Sequence, residues 1–252
     1  MKLWRQIGVV ALVPVAFVGG AGNVFAQERD KNWSVTLGLK AWQNTWETAL
    51  LNDDAFDSNI LSLTSPSKFA LIPNLTVRYK DFFVAGGYFT KTSYTFPQIR
   101  FAGSLIDTKA DRTETDFNLG YFIVPSLALT VGYKTVKQEY TLSTPGFPVD
   151  RSTTKYGGVT AGILGSAPIG GGFALYGNGS GGPSKAKYSG GGSDNAWYIS
   201  SELGLAYAVA RGATLSLGYK YQVLNTNVKT LTGTQVARDV TNGFVFGGNY
   251  TF

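Results

Sequence analysis

The chain of 252 residues contains no cysteine and no histidine. Without cysteine there is no disulfide framework, no thiolate nucleophile and no thiolate-ligated metal. Without histidine there is no Ser-His-Asp triad and no His-ligated metal enzyme. Ser–Lys or paired-carboxylate catalysis remains formally open, but no spacing singles out such a set. After residue 26 no uninterrupted apolar run reaches the roughly 20 residues that a membrane-spanning helix needs. Nothing reads as a long amphipathic helix either. The acidic cluster Asn52-Asp53-Asp54-Ala55-Phe56-Asp57 lacks the ordered ligand series of a calcium loop and reads as a solvated loop. The glycine-rich Gly179 to Gly182 and Gly190 to Gly192 lack the Lys and Ser of a phosphate-binding loop, so they read as flexible extracellular turns. No nucleic-acid motif is present. The sequence therefore assigns no catalytic residue, no metal ligand and no cofactor, and the chain is read as not an enzyme.

What is present points to export and to strands. Lys2 and Arg5 precede an apolar run from Ile7 to Val18, and Val24-Phe25-Ala26 offers a cleavage site before Gln27. That is the layout of a cleavable Sec-type signal peptide over residues 1–26, leaving 27–252 as one domain. The formal charge is +6, and losing Lys2 and Arg5 with the leader lowers it by two. Composition is rich in Gly (32), Phe (16) and Tyr (14), as suits strands and turns. Ten segments alternate with period two: 33–42, 68–80, 82–95, 112–123, 127–140, 155–167, 173–180, 197–209, 213–224 and 240–252. Their outward positions form coherent apolar rows, including Trp33, Val35, Leu37 and Leu39, then Phe117, Leu119, Tyr121 and Ile123, then Leu215, Leu217, Tyr219 and Tyr221.

Connectors alternate short and long. Those at 80–81, 124–126, 168–172 and 210–212 are tight; those at 43–67, 96–111, 141–154, 181–196 and 225–239 are long. Short periplasmic turns, long extracellular loops and both termini in the periplasm are the rule for membrane barrels, which need an even strand number for that. A lipid-embedded sheet must also close on itself to satisfy its edges. The expected fold is all-β, a single antiparallel up-and-down transmembrane barrel of about ten strands, with eight or twelve as alternatives. Tyr79, Tyr121, Tyr207, Tyr250 and Phe252 fall near its periplasmic boundary, and Tyr133, Trp197, Tyr219 and Tyr221 lie higher, as two interfacial girdles. The final segment puts Phe244, Phe246, Tyr250 and Phe252 on one face and Val245, Gly247, Asn249 and Thr251 on the other. It resembles the closing strand of Gram-negative bacterial outer-membrane β-barrel proteins of the small, porin-like class. That resemblance implies an outer-membrane location, contact with outer-membrane lipid and lipopolysaccharide, and reading of Tyr250 and Phe252 by the barrel-assembly machinery. An omptin-like protease or a His-dependent lipid A deacylase would need the histidine that this chain lacks.

Two hairpins repeat. Asp116-Phe117-Asn118-Leu119-Gly120-Tyr121 parallels Glu202-Leu203-Gly204-Leu205-Ala206-Tyr207, and Leu129 to Lys134 parallels Leu215 to Lys220. With turns centred on residues 125 and 211, Asp116 faces Lys134 and Glu202 faces Lys220, provided that neither hairpin is bulged. All four alternate with apolar outward residues, so they point into the lumen. With Lys40 at a similar height they form a candidate charged constriction; the alternative is that they tie together a filled barrel. Lys68 and Arg78 add inward positive charge, with Lys80 inward or in the turn, while Lys155 is inclined outward. Two functions compete. One is a narrow channel or ligand-binding lumen for small solutes. The other is a closed barrel with a structural, adhesion or surface-interaction role through extracellular loops carrying Trp46, Phe56 and Tyr188.

Overall fold

The computed structural model describes residues 32–52, 59–101, 104–230 and 233–252. The signal peptide expected over 1–26, and Phe56 with most of the acidic cluster, lie outside the described residues. The strands are β1 (Trp33–Asn52), β2 (Asn59–Thr64), β3 (Lys68–Tyr79), β4 (Phe82–Thr95), β5 (Ile99–Phe101) and β6 (Ser104–Val124). They continue with β7 (Leu127–Ser143), β8 (Asp150–Gly170), β9 (Phe173–Tyr188), β10 (Ser193–Ala210), β11 (Ala213–Thr230) and β12 (Gly233–Thr251). Each long strand pairs antiparallel with the next, and β12 returns to β1 from Thr36↔Thr251 to Asn52↔Gln235, so the sheet closes. The result is a ten-strand barrel with two additional short strands, β2 and β5. Strand β2 lies on β1 beyond the end of β3, and β5 lies on β6 beyond the end of β4.

Alternation explains the two faces. Trp33, Leu37, Leu39, Phe117, Leu119, Tyr121, Leu215 and Leu217 are all exposed on the outer wall. So are Phe244, Phe246, Tyr250 and Phe252, whereas Val245 between them is fully buried. An exposed apolar wall of this extent is a surface for hydrocarbon. Near the short-turn end aromatic rings pair at its border: Trp33 with Tyr79 at 4.6 Å, Phe82 with Tyr121 at 4.8 Å and Phe173 with Tyr207 at 4.6 Å. Both described chain ends lie at this end, since the Lys80 amide donates to the Asn32 carbonyl and the Phe252 amide to Val35.

The long connectors expected from sequence are largely strand. Strands β6 and β8 each run for 21 residues, about 70 Å of extended chain, or about 50 Å of height at the usual tilt, against an apolar band of about 25 Å. The ladder continues past the lipid because the inward positions stay large while the outward ones turn polar. On β7, for example, Val136, Gln138 and Tyr140 face in while Lys137, Glu139 and Thr141 face out. Outward apolar residues were the sequence signal, and they stop at the membrane. Gly179 to Gly182, read as a loop, likewise belong to β9; Gly190 to Gly192 do form a turn, with positive φ at Gly191 and Gly192.

Candidate functional site

The inward charges converge on one interior. Asp116 is the cross-strand partner of Lys134, and Glu202 of Lys220. Both hairpins do contain a bulge, between Phe122 and Val124 and between Ala208 and Ala210. Each is compensated by a two-residue turn, so the pairing survives although the condition set for it fails.

Contacts diverge from that register. Lys220 makes no ion pair with Glu202 among the described residues; its ammonium lies over the Trp42 ring, 4.9 Å from the centroid. Glu202 instead accepts from Lys40 Nζ at 2.7 Å and from the Tyr176 hydroxyl at 3.0 Å. Lys134 is 3.6 Å from Asp116 but 2.7 Å from Glu114 Oε2, and its ammonium sits over Tyr198. Glu114 also accepts from Arg112 at 2.6 Å and from Gln222 Nε2 at 3.3 Å. Arg112 donates to Thr241 Oγ1 at 2.7 Å. Higher still, Asp239 accepts from Gln138 Nε2 at 2.9 Å and from Trp46 Nε1 at 3.2 Å, and Tyr94 donates to Asn44 Oδ1 at 2.6 Å.

Several of these bonds cross the bore. In the ring of ten strands β6 stands opposite β11, and β7 opposite β12. Glu114–Gln222 and Gln138–Asp239 therefore span its full diameter. The charges differ in exposure, and Glu202 beside Lys40 is itself buried. Side-chain exposure is 39% at Asp116 and 26% at Lys40, but 4% at Glu114 and 1% at Arg112. The upper lumen around Arg112 and Glu114 is shielded from solvent, and lower down Asp116 and Lys40 keep part of their surface. Trp46 packs edge-on against Tyr94 and Phe96, and Trp42 against Phe89, closing what the polar network leaves. Beside Lys134, Tyr156, Tyr198 and Leu224 a cavity of about 10 Å³ remains, room for a single water.

Other expected residues lie elsewhere. Arg78 stacks on Phe122 at 4.4 Å and donates to the Lys80 carbonyl, filling one side of the short-turn end. Lys80 occupies the turn with φ 54. Lys68 is exposed where β2 and β3 are interrupted. Trp46, expected on a loop, is completely buried in the lumen. The charges that sequence reading missed, Arg112, Glu114 and Asp239, are central. Arg112 and Glu114 share the parity of Asp116, so extending its alternation upward would have found them. Asp239 belongs to strand above the apolar rows, where that signal had ended, whereas Gln138 lies within the expected segment 127–140 but carries no charge to mark it.

No protein family and no curated protein matches the sequence. Among solved structures the chain is similar to the outer membrane protease OmpT of Escherichia coli, at 14% identity over 88% of this chain and 97% of that one, with a TM-score of 0.58. Ail, the attachment invasion locus protein of Yersinia pestis, aligns at 10% identity over 88% and 100%, with a TM-score of 0.39. The toluene transporter TodX of Pseudomonas putida aligns at 8% over 92% and 93%, with a TM-score of 0.37. The OmpT similarity establishes a common fold and, at that identity, nothing about activity. The fold is that of a bacterial outer-membrane β-barrel.

Proposed function

We propose that this outer-membrane β-barrel is a closed barrel that acts through its extracellular end, in a structural or surface-interaction role, and does not conduct solutes. One observation carries the reading: side-chain hydrogen bonds span the full bore at two levels, at Glu114–Gln222 and Gln138–Asp239. Buried groups held by such bonds do not yield to a hydrated solute without leaving several polar partners unsatisfied. The extracellular end offers apolar contact instead. Phe147 and Val149, on the connector between β7 and β8, are 67% and 53% exposed, and exposed connectors commonly carry recognition. The buried carboxylates Glu114, Glu202 and Asp239 are all engaged in bonds to other side chains, which supports a non-enzymatic role.

Export through the leader at 1–26 and assembly through Tyr250 and Phe252 belong to the same proposal. The test is planar-bilayer recording on the folded protein, with solute flux from liposomes alongside. No discrete conductance is expected from the wild type, and a variant trimmed at Gln138, Gln222 and Trp46 should conduct. A stable conductance from the wild type would overturn the closed reading. A second reading keeps a small solute. Asp116 and Lys40 keep 39% and 26% of their side-chain surface, which a small solute could contact, and saturable solute binding without flux would favour it.

A further inference from the structure

We infer that the outer wall formed by β7, β8 and β9 carries a binding site for the phosphate groups of an outer-leaflet glycolipid, built from Lys137, Lys155, Lys185 and Lys187. The inference uses the barrel's placement in the outer membrane and is independent of whether the lumen is closed.

Register brings the lysines together. Lys137 is the cross-strand partner of Lys155, and Lys155 of Lys187, so three ammonium groups stand in one row across three adjacent strands. Lys185 is two residues below Lys187 on the same face, opposite Gly157. Alternation turns all four outward, since they share parity with the wall residues Tyr133, Val159 and Phe173. Like charges set directly opposite one another in a sheet are unfavourable. At Lys91 on this rim, and at Lys137 at the edge of the row, a carboxylate compensates the charge. Lys91 lies 2.7 Å from Asp111, and Lys137 2.7 Å from Glu139. Among the described residues no carboxylate comes within ion-pair distance of Lys155, Lys185 or Lys187. Three neighbouring cations thus have no carboxylate in ion-pair reach, the outward Glu139 being held by Lys137, and a polyanion is the missing partner.

Height identifies that partner. Lys185 pairs with Asn195, one outward position above the Trp197–Pro183 pair. On the other flank Tyr133 leans its hydroxyl over Gly157, where an added Cβ would meet it at 2.6 Å. Tyr133 and Trp197 are both exposed and mark the upper border of the apolar wall, the level at which amphipathic rings meet headgroups. The lysines begin just above that border. Phosphates attached to the sugar of a lipid whose chains lie along the wall are at this height, whereas a soluble polysaccharide would meet the extracellular tip first.

The measurement is titration of the full-length folded barrel in detergent with bisphosphorylated lipid A, and separately with the same lipid stripped of its phosphates. Heat-modifiability on gels verifies folding of every variant. Near a surface each lysine contributes enough that loss of three should weaken binding about 100-fold. The K155Q/K185Q/K187Q variant should show that loss, whereas a K68Q/K109Q control with two other basic residues removed should bind as wild type. The stripped lipid should bind wild type and triple variant alike. Unchanged affinity of the triple variant, or equal wild-type affinity for both lipids, overturns the inference. A sulphated polysaccharide that binds at these lysines more tightly than bisphosphorylated lipid A would also overturn it.

Discussion

Removing one carboxylate tests whether the upper lumen is dry. Glu114 accepts from Lys134, Arg112 and Gln222, and Glu114→Gln keeps its size while deleting its charge. Two cations then remain, Arg112 with 1% of its side chain exposed and Lys134 with 6%. Stripping a buried charge of its partner typically costs about 3–5 kcal/mol. The lower end applies here, about 3 kcal/mol, because Arg112 keeps Thr241 and Lys134 keeps Asp116 at 3.6 Å. With an unchanged slope of about 1–3 kcal/mol per molar urea, the unfolding midpoint falls by about 1–3 M. Tryptophan fluorescence reads it, since Trp42 and Trp46 are fully buried in the same interior. Asp116→Asn, at a side chain 39% exposed, should cost less than about 1 kcal/mol. The triple variant R112M/E114L/K134M should be neutral or more stable by about 1–4 kcal/mol, because it removes the three mutually paired buried charges at once. If Glu114→Gln costs no more than Asp116→Asn, water solvates the network and the closed reading fails.

Four further outcomes follow from the same geometry. Lys40→Met should cost little alone, because Lys220 stands directly across from Glu202, while Lys40→Met with Lys220→Met should exceed the sum by about 0.5–3 kcal/mol in a double-mutant cycle. Gly243→Ala should impair closure of the β1–β12 seam, since its Cβ would collide with the Gln43 carbonyl at a φ of 154; the readout is loss of the compact band on unheated gels, with a destabilisation of at least about 1–3 kcal/mol. Phe147→Ser with Val149→Ser should leave stability within about 0.5 kcal/mol and abolish attachment of cells displaying the barrel. Phe252→Ala should lower the outer-membrane level in cells while refolding into detergent proceeds as in the wild type, because the ring is 58% exposed beside Tyr250.

The wall was legible because it obeys one rule. A strand with lipid on one side must alternate, so Leu215, Leu217, Tyr219 and Tyr221 declared both the strand and its outward face. The limits of that rule are equally physical. Where β6 rises above the lipid its outward residues become Asp107, Lys109 and Asp111, the apolar signal ends, and strand reads as loop. Trp46 was misplaced for the same reason. In the lumen, register was readable from hairpin symmetry and partner choice was not. Glu202 faces Lys220 along the backbone yet bonds Lys40 from β1, because long side chains cross the bore and select partners by three-dimensional closure.

The bonds that cross the upper bore from the hairpin of β6 and β7 end on the last two strands: Gln222 lies on β11, and Asp239 and Thr241 lie on β12. Their counterparts, Arg112, Glu114 and Gln138, lie on the hairpin of β6 and β7, far earlier in the chain. A nascent sheet therefore carries Arg112, Glu114 and Gln138 for most of its growth without the partners that β11 and β12 supply, and that side of the hairpin must stay hydrated until the end. Water leaves the upper bore only as β12 joins β1. The final strand is thus a stopper as well as a seam, so an assembly intermediate arrested before it docks would be leaky where the finished protein is tight. Order of synthesis, on this view, is written into which residues meet across the barrel.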